Sequence, residues 1–282
     1  MKSAILRLYA ELNDFLPADR RHTPFSRAFG PGTTVKDLLE GAGVPHTEVD
    51  LILANGKPVG FAYAVRDGDR ISAYPVFESL DISPLACLRP QPLRQPRFVL
   101  DTHLGRLARY LRLLGFDTIY RNNFGDEELA RVSAAECRIL LTRDAGLLKR
   151  SIVTHGYWVR ETTIRRQVAE IVRRFDLTSR IALFRRCLRC NALLEPIDKD
   201  LIAARLPAMT RLLHREFHIC PGCDRIYWRG SHHGRMTRWI EEVLGIGGDS
   251  RAIEPPPGKV PPDSWAKPSR LRPRELPGPP TI

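Results

Sequence analysis

The sequence predicts two domains in series: a small α+β unit, then a largely parallel α/β sheet that runs into a cysteine-bearing ribbon. Three observations carry that expectation. Four prolines between Pro84 and Pro96 interrupt every helical or strand period, strands and helices alternate regularly after that break, and two CxxC pairs follow. A chain of 282 residues is long enough for two modest cores.

Residues 1–80 hold short alternating strands, AILRLYAEL, VDLILANG and RISAYPVF, around one helix from Val35 to Gly41. Thr33 and Thr34 supply its capping signal. Beyond the prolines the strands RFVLD, DTIYR, RILLTRD and GYWVR alternate with the helices THLGRLARYLRLLG, DEELARVSAAE and TTIRRQVAEIVRRF. In the first of these helices Leu104, Leu107, Ala108, Leu111 and Leu114 share the buried face. Arg106, Arg109 and Arg112 are expected on the opposite face, toward solvent or phosphate.

Charge follows the same division. Residues 1–88 carry 9 Lys and Arg against 11 Asp and Glu, whereas residues 89–282 carry 35 against 21. Arginine dominates the excess, and its planar, multiply donating head suits phosphate oxygens, so a polyanionic partner is expected for the second part. An arginine-rich composition with no such partner is the competing account. Apolar runs long enough to span a bilayer are absent, and the N-terminus lacks the uninterrupted apolar core of a signal peptide, so a cytoplasmic protein without membrane association is expected.

Cys187-Leu-Arg-Cys190 and Cys220-Pro-Gly-Cys223 are separated by 29 residues. Two such turns complete the four-sulfur tetrahedron that structural Zn2+ prefers, and four thiolates leave no open position for chemistry. Arg189, Arg229 and Trp228 lie beside these turns. Basic groups that grip phosphates and aromatic faces that stack on bases are the means by which single-stranded nucleic acid is held, and Arg143 is a further candidate of this kind. Aromatic packing on a small ribbon explains Trp228 equally well.

Asp101 ends one apolar strand, Asp144 follows another, and Asp126 opens the helix between them. The carboxyl ends of parallel strands border the crevice where α/β sheets bind ligands. Carboxylates gathered there suit Mg2+ or Mn2+, ions that generate hydroxide and stabilise a pentavalent phosphate. Each of the three also stands where a helix N-cap belongs, which is the structural alternative.

The segments DTHLGRLARYLRLLGFDT, DEELARVSAAECRILLTRD, RCLRCN and CPGCDRIYWRGSHHGRM occur in the order found in the C-terminal RNase domain of the mutator-seven exonuclease family, which residues 97 to 240 resemble. The resemblance implies a PIN-like parallel sheet with helices and a C-terminal zinc ribbon. It also implies ribonuclease activity through metal-bound Asp101, Asp126 and Asp144, with zinc held by Cys187, Cys190, Cys220 and Cys223. Residues 1–80 are similar to the sulfur-carrier branch of ubiquitin-like β-grasp proteins, through TTVKDLLEGAGVPHTEVDLILANGKPV and DGDRISAYPVF. Glu78-Ser79-Leu80 stand in place of the terminal Gly-Gly on which carrier chemistry depends, leaving a docking role toward a protein partner.

The expected organisation is a ubiquitin-like domain at 1–83, a linker at 84–96, a PIN-like RNase domain at 97–180, a zinc ribbon at 181–240 and a disordered proline-rich tail at 241–282. The expected function is metal-dependent cleavage of RNA phosphodiester bonds. The alternative is a non-catalytic zinc-ribbon protein that binds RNA or ribosomes.

Overall fold

The computed structural model describes residues 2–75 and 96–245. Nearly all of the expected linker, and the expected tail from 246 onward, lie outside the described residues. The chain divides into two compact units, Met1–Asn191 and Ala192–Ile282. No helix of the described residues is long and apolar enough to cross a membrane.

The first unit opens with a five-stranded mixed sheet. Its strands are β1 (Lys2–Leu8), β2 (Phe25–Phe29), β3 (Leu51–Ala54), β4 (Lys57–Pro58) and β5 (Arg70–Tyr74), in the order β2-β1-β5-β3-β4. β1 is antiparallel to β2 and parallel to β5, and β3 is antiparallel to both β4 and β5. That is the β-grasp arrangement. In β1 the buried residues Ala4, Leu6 and Leu8 alternate with less buried ones, the period of a strand covered on one face. Helix α1 (Val35–Gly41) packs Val35, Leu38 and Leu39 into the same core. Its start is a reciprocal capping box: Asp37 N donates to the Thr34 hydroxyl, and Asp37 Oδ2 accepts from Thr34 N.

The apolar run AILRLYAEL does not continue as a strand to Leu12. Tyr9 leads into a 3-10 turn over Ala10–Phe15, with Ala10 in the left-handed region. Buried Asn13 organises this turn by donating to the carbonyls of Leu8 and Ala10 while accepting from His22 N.

The second layer of the unit is an all-parallel sheet of β6 (Phe98–Leu100), β7 (Thr118–Ile119), β8 (Ile139–Thr142) and β9 (Gly156–Trp158), ordered β7-β6-β8-β9. Helices α2 (Gly105–Leu113), α3 (Asp126–Ala135), α4 (Ala145–Leu148) and α5 (Ile164–Arg174) connect and cover these strands. β6 shows why its residues are apolar without alternation, since helices cover both faces. Phe98 meets the edges of Phe116 and Phe175, while Val99 packs with Leu129, Ala130, Leu147 and Leu148. Gly115 ends α2 in the left-handed region, where an added Cβ would lie 2.3 Å from the Ala182 carbonyl oxygen. The close approach admits only glycine.

The second unit holds an antiparallel sheet of β10 (Glu195–Ile197), β11 (Phe217–Ile219) and β12 (Ile226–Trp228), in that order. Short helices α6 (Lys199–Ile202) and α7 (Ala208–Leu213) lie between β10 and β11, and α8 (Ser231–Leu244) follows β12, passing the expected start of the tail at 241. Its core is small: Ile202, Leu206, Phe217 and Ile226, with Ile197 and Trp228 against them.

Candidate functional site

In the parallel sheet the chain leaves β6 for β7 on one side and then crosses to β8 on the other. The connections leaving the carboxyl ends of β6 and β8 therefore run to opposite sides, which is the switch point where open α/β sheets form their ligand crevice. Asp101 directly follows β6, and Asp144 stands two residues beyond the end of β8. Asp101 N donates to the Leu141 carbonyl at 3.0 Å, which keeps the two strand ends in register.

Thr142 joins the two acids. Its hydroxyl donates to Asp101 Oδ2 at 2.7 Å and accepts from Asp144 N at 2.9 Å. Asp101 is buried and its Oδ1 also accepts from Thr102 N, capping the following turn. Asp144 is exposed, and its Oδ1 accepts from Gly146 N at 2.7 Å to cap α4. Both therefore serve as helix-start caps. Asp126 does not: Gly125 occupies the N-cap of α3, and Asp126 is an exposed residue of its first turn. Among the described residues, three or more potential metal ligands converge at the cysteines, while Asp101, Asp126 and Asp144 do not approach one another as closely.

The cysteine site is compact. The Sγ atoms of Cys187, Cys190, Cys220 and Cys223 lie within 4.8 Å of one another, with Cys187 and Cys220 buried. Zn–S bonds of about 2.3 Å place tetrahedral sulfurs about 3.8 Å apart, so the donor set and its spacing are consistent with structural zinc. Both turns are built alike. The residue after each second cysteine, Asn191 or Asp224, is in the left-handed region and donates its N–H to the carbonyl of the first cysteine of its pair. Asn and Asp enter that region more readily than other side-chain-bearing residues, which explains their places. In the first turn Cys190 N also points at Cys187 Sγ, 3.5 Å away.

Arginines hold both turns by their carbonyls. Arg205 donates to the Asp224 carbonyl at 2.6 Å and pairs with its carboxylate at 3.0 Å. Arg112 donates to the carbonyls of Thr118 at 2.8 Å, Leu188 at 3.2 Å and Arg189 at 2.7 Å. This corrects the expectation that Arg112 faces solvent or RNA. It is buried, because the chain after α5 returns across α2 and needs a donor for its turn carbonyls. Asn191 extends the anchor: its Oδ1 accepts from Thr118 N, and its Nδ2 donates to Asp117 Oδ1. Burial would raise the Asp117 carboxyl, but hydrogen bonds from Arg138 and Asn191 and the charges of Arg138 and Arg186 outweigh it and hold that group below the usual carboxylate range. These bonds carry the first unit through Asn191, past the expected ribbon start at 181.

Arg112→Met keeps most of the apolar stem and removes three buried donors, so it is expected to cost about 2–4 kcal/mol and to speed zinc release to a chelator. Unfolding in denaturant and the release rate check this; no change in either would mean that the anchor is idle.

The remaining sequence-derived RNA contacts are scattered in environment. Arg106, Arg189 and Arg229 are exposed and Arg109 is half-exposed. Arg143 is exposed while donating to the Glu161 carbonyl at 2.7 Å. Trp228 is half-buried and packs against Phe217 with ring centroids 6.4 Å apart, so core packing accounts for much of its surface. Sequence reasoning missed Thr142, Asp117 and Asn191. A threonine ending an apolar strand two residues before an acid, and an Asn directly after a CxxC pair, are the signals that were present.

The described residues thus combine a β-grasp domain, a parallel α/β sheet with covering helices and an antiparallel sheet with a four-cysteine cluster. The chain belongs to the Mut7-C RNAse domain family, which matches residues 96–240, just over half of its length. Residues 1–81 match the Mut7-C ubiquitin family. Among solved structures, the chain is similar to the Haloferax volcanii small archaeal modifier protein 1, at 21% identity over 27% of this chain and 100% of that one, with a TM-score of 0.23. A second structure, SAMP1 from Haloferax volcanii, matches at 22% identity over 28% of this chain and 99% of that one, also with a TM-score of 0.23. No curated protein matches the chain.

Proposed function

We propose that the protein is a divalent-metal-dependent ribonuclease of the reducing cytoplasm, cutting single-stranded RNA with Asp101, Asp126 and Asp144 as the acidic site. The observation that supports this reading best is the pairing of Asp101 and Asp144 across the switch point through one threonine hydroxyl. Carboxylate oxygens there suit Mg2+ or Mn2+, and an ion so held lowers the pKa of a bound water and offsets charge on the phosphate. Asp126, on the first turn of α3, is the third ligand in this reading. Arg106, Arg109, Arg143, Arg189 and Arg229 hold the RNA backbone, and Trp228 offers a face to a base. The four-thiolate zinc is structural.

The test is cleavage of single-stranded RNA by the full chain with added Mg2+ or Mn2+, against Asp101→Asn as control. A second reading is favoured by the cap hydrogen bonds of Asp101 and Asp144: a zinc-ribbon protein that binds RNA or ribosomes without cutting. Both readings require phosphate contacts, so RNA affinity is expected to fall with salt by about 0.7 log units per tenfold salt for each neutralised phosphate, and Arg189→Ala to reduce that slope by about one such increment. Filter binding across salt concentrations checks this. A flat dependence would remove RNA as the partner.

A further inference from the structure

The β-grasp domain lacks the carrier terminus, so the sequence leaves it a docking role without a partner. Within the first unit that partner is visible. Glu48, from the β-grasp domain, has a side chain with no solvent exposure. Its Oε1 accepts from Trp158 N at 2.6 Å, and its Oε2 pairs with Arg160 at 3.2 Å. Arg160 in turn pairs with Asp14 at 2.8 Å and lies over the rings of Phe15, Tyr157 and Trp158. His46 Nε2 donates to the Val153 carbonyl at 2.9 Å, Lys149 donates to the Glu40 carbonyl at 2.9 Å, and Phe15 meets the Trp158 ring at 5.0 Å. At β9 the backbone is close enough that a Cβ on Gly156 would stand 3.4 Å from the Thr47 hydroxyl.

A carboxylate stripped of water is strongly destabilising unless its partner stays in place. Domains that only share a tether keep such groups in solvent, so Glu48 and Arg160 mark a permanent interface. The interface also reaches the crevice. Trp158, whose backbone N–H is held by Glu48, donates its indole Nε1–H to the Arg143 carbonyl at 3.0 Å. Arg143 directly precedes Asp144, whose own N–H is fixed by Thr142.

We propose that the β-grasp domain is a built-in scaffold of the nuclease crevice: docked on β9 through Glu48 and Arg160, it positions the Arg143–Asp144 turn through Trp158. The inference rests on the nuclease reading for its catalytic consequence, not for the docking itself. Glu48 and Trp158 are positioning residues; neither has to touch RNA or metal.

The experiment uses the full chain with Glu48→Ala, Glu48→Gln and Trp158→Phe, and reads amide hydrogen exchange together with RNA cleavage. Trp158→Phe keeps an aromatic ring against Phe15 and removes one hydrogen bond, so it retains the fold even where Glu48→Ala does not. Exchange over residues 142–146 is expected to speed about fivefold in Trp158→Phe, the value of one typical hydrogen bond. Its kcat falls by a comparable factor, with a smaller rise in KM because Arg143 is one of five arginines on the RNA backbone. Glu48→Gln, which still offers an acceptor to Trp158 N, retains more activity than Glu48→Ala. Unchanged exchange at 142–146 in every folded variant overturns the proposal, as does faster exchange with an unchanged kcat. A wild-type chain that fails to cut RNA sinks the nuclease reading, and the exchange measurement then still decides whether the domain orders the turn.

Discussion

Asp101→Asn and Asp144→Asn are each expected to abolish RNA cleavage, by at least about a hundredfold; Asp144→Asn changes stability by no more than about 1 kcal/mol, while Asp101→Asn costs about 1–3 kcal/mol because its amide nitrogen cannot accept from the buried Thr142 hydroxyl. The two effects separate because asparagine caps a helix start about as well as aspartate. The turn after Asp101 and the start of α4 would keep their caps through the amide oxygen. What disappears is the negative charge that retains Mg2+ or Mn2+ at the crevice. Activity should also require added divalent ion and stop with EDTA before the thiolate-held zinc is lost, since four sulfurs bind more tightly than a few carboxylates. Cleavage that persists in both variants, or without Mg2+ and Mn2+, would leave the aspartates as caps and favour the RNA-binding reading.

Cys187→Ser and Cys220→Ser are expected to release about one zinc per chain and to unfold the antiparallel ribbon. The core there explains the size of the effect. Only four side chains, Ile202, Leu206, Phe217 and Ile226, form its buried cluster, a core too small to hold the ribbon by apolar burial alone. In such small modules metal binding carries much of the folding free energy, so losing one thiolate ligand removes both together. Residues 195–228 should lose exchange protection and become protease-sensitive, while the cores around Leu6 and around Val99 stay protected. Metal analysis of the native protein that finds no zinc would remove this claim.

Much of the architecture was legible locally. The Thr34 cap, the uninterrupted apolar strands RFVL and RILLT, the leucine stripe of α2 and the CxxC spacing each reflect interactions within a few residues, and each element lies where those signals put it. The strands β2 and β4 carried no comparable signal. β2 reads FSRAF with its residues only partly buried, and β4 spans two exposed residues, so pairing with β1 and β3 rather than composition makes them strands.

The acids were legible as positions but not as partners. Strand-end aspartates follow from sequence, yet Thr142 as their link depends on β6 and β8 lying side by side, a pairing between segments about forty residues apart. Arg112 shows the limit from the other direction. Its spacing on α2 puts it with the exposed arginines, yet the Thr118 carbonyl of β7 and the Leu188 and Arg189 carbonyls of the returning chain surround it.

The order of the folded segments, the two CxxC pairs, the acids at the strand ends and the absence of Gly-Gly after the β-grasp segment could all be read from the chain alone, because periodicity, short motif spacing and the presence of a residue type are local properties. Three outcomes depend on long-range packing instead: Arg112 anchors a cysteine turn, Gly125 rather than Asp126 caps α3, and Glu48 meets Arg160 and Trp158 more than a hundred residues away. Those outcomes depend on which groups lose water together when distant segments pack, and a buried charge or carbonyl takes whatever partner the fold brings to it.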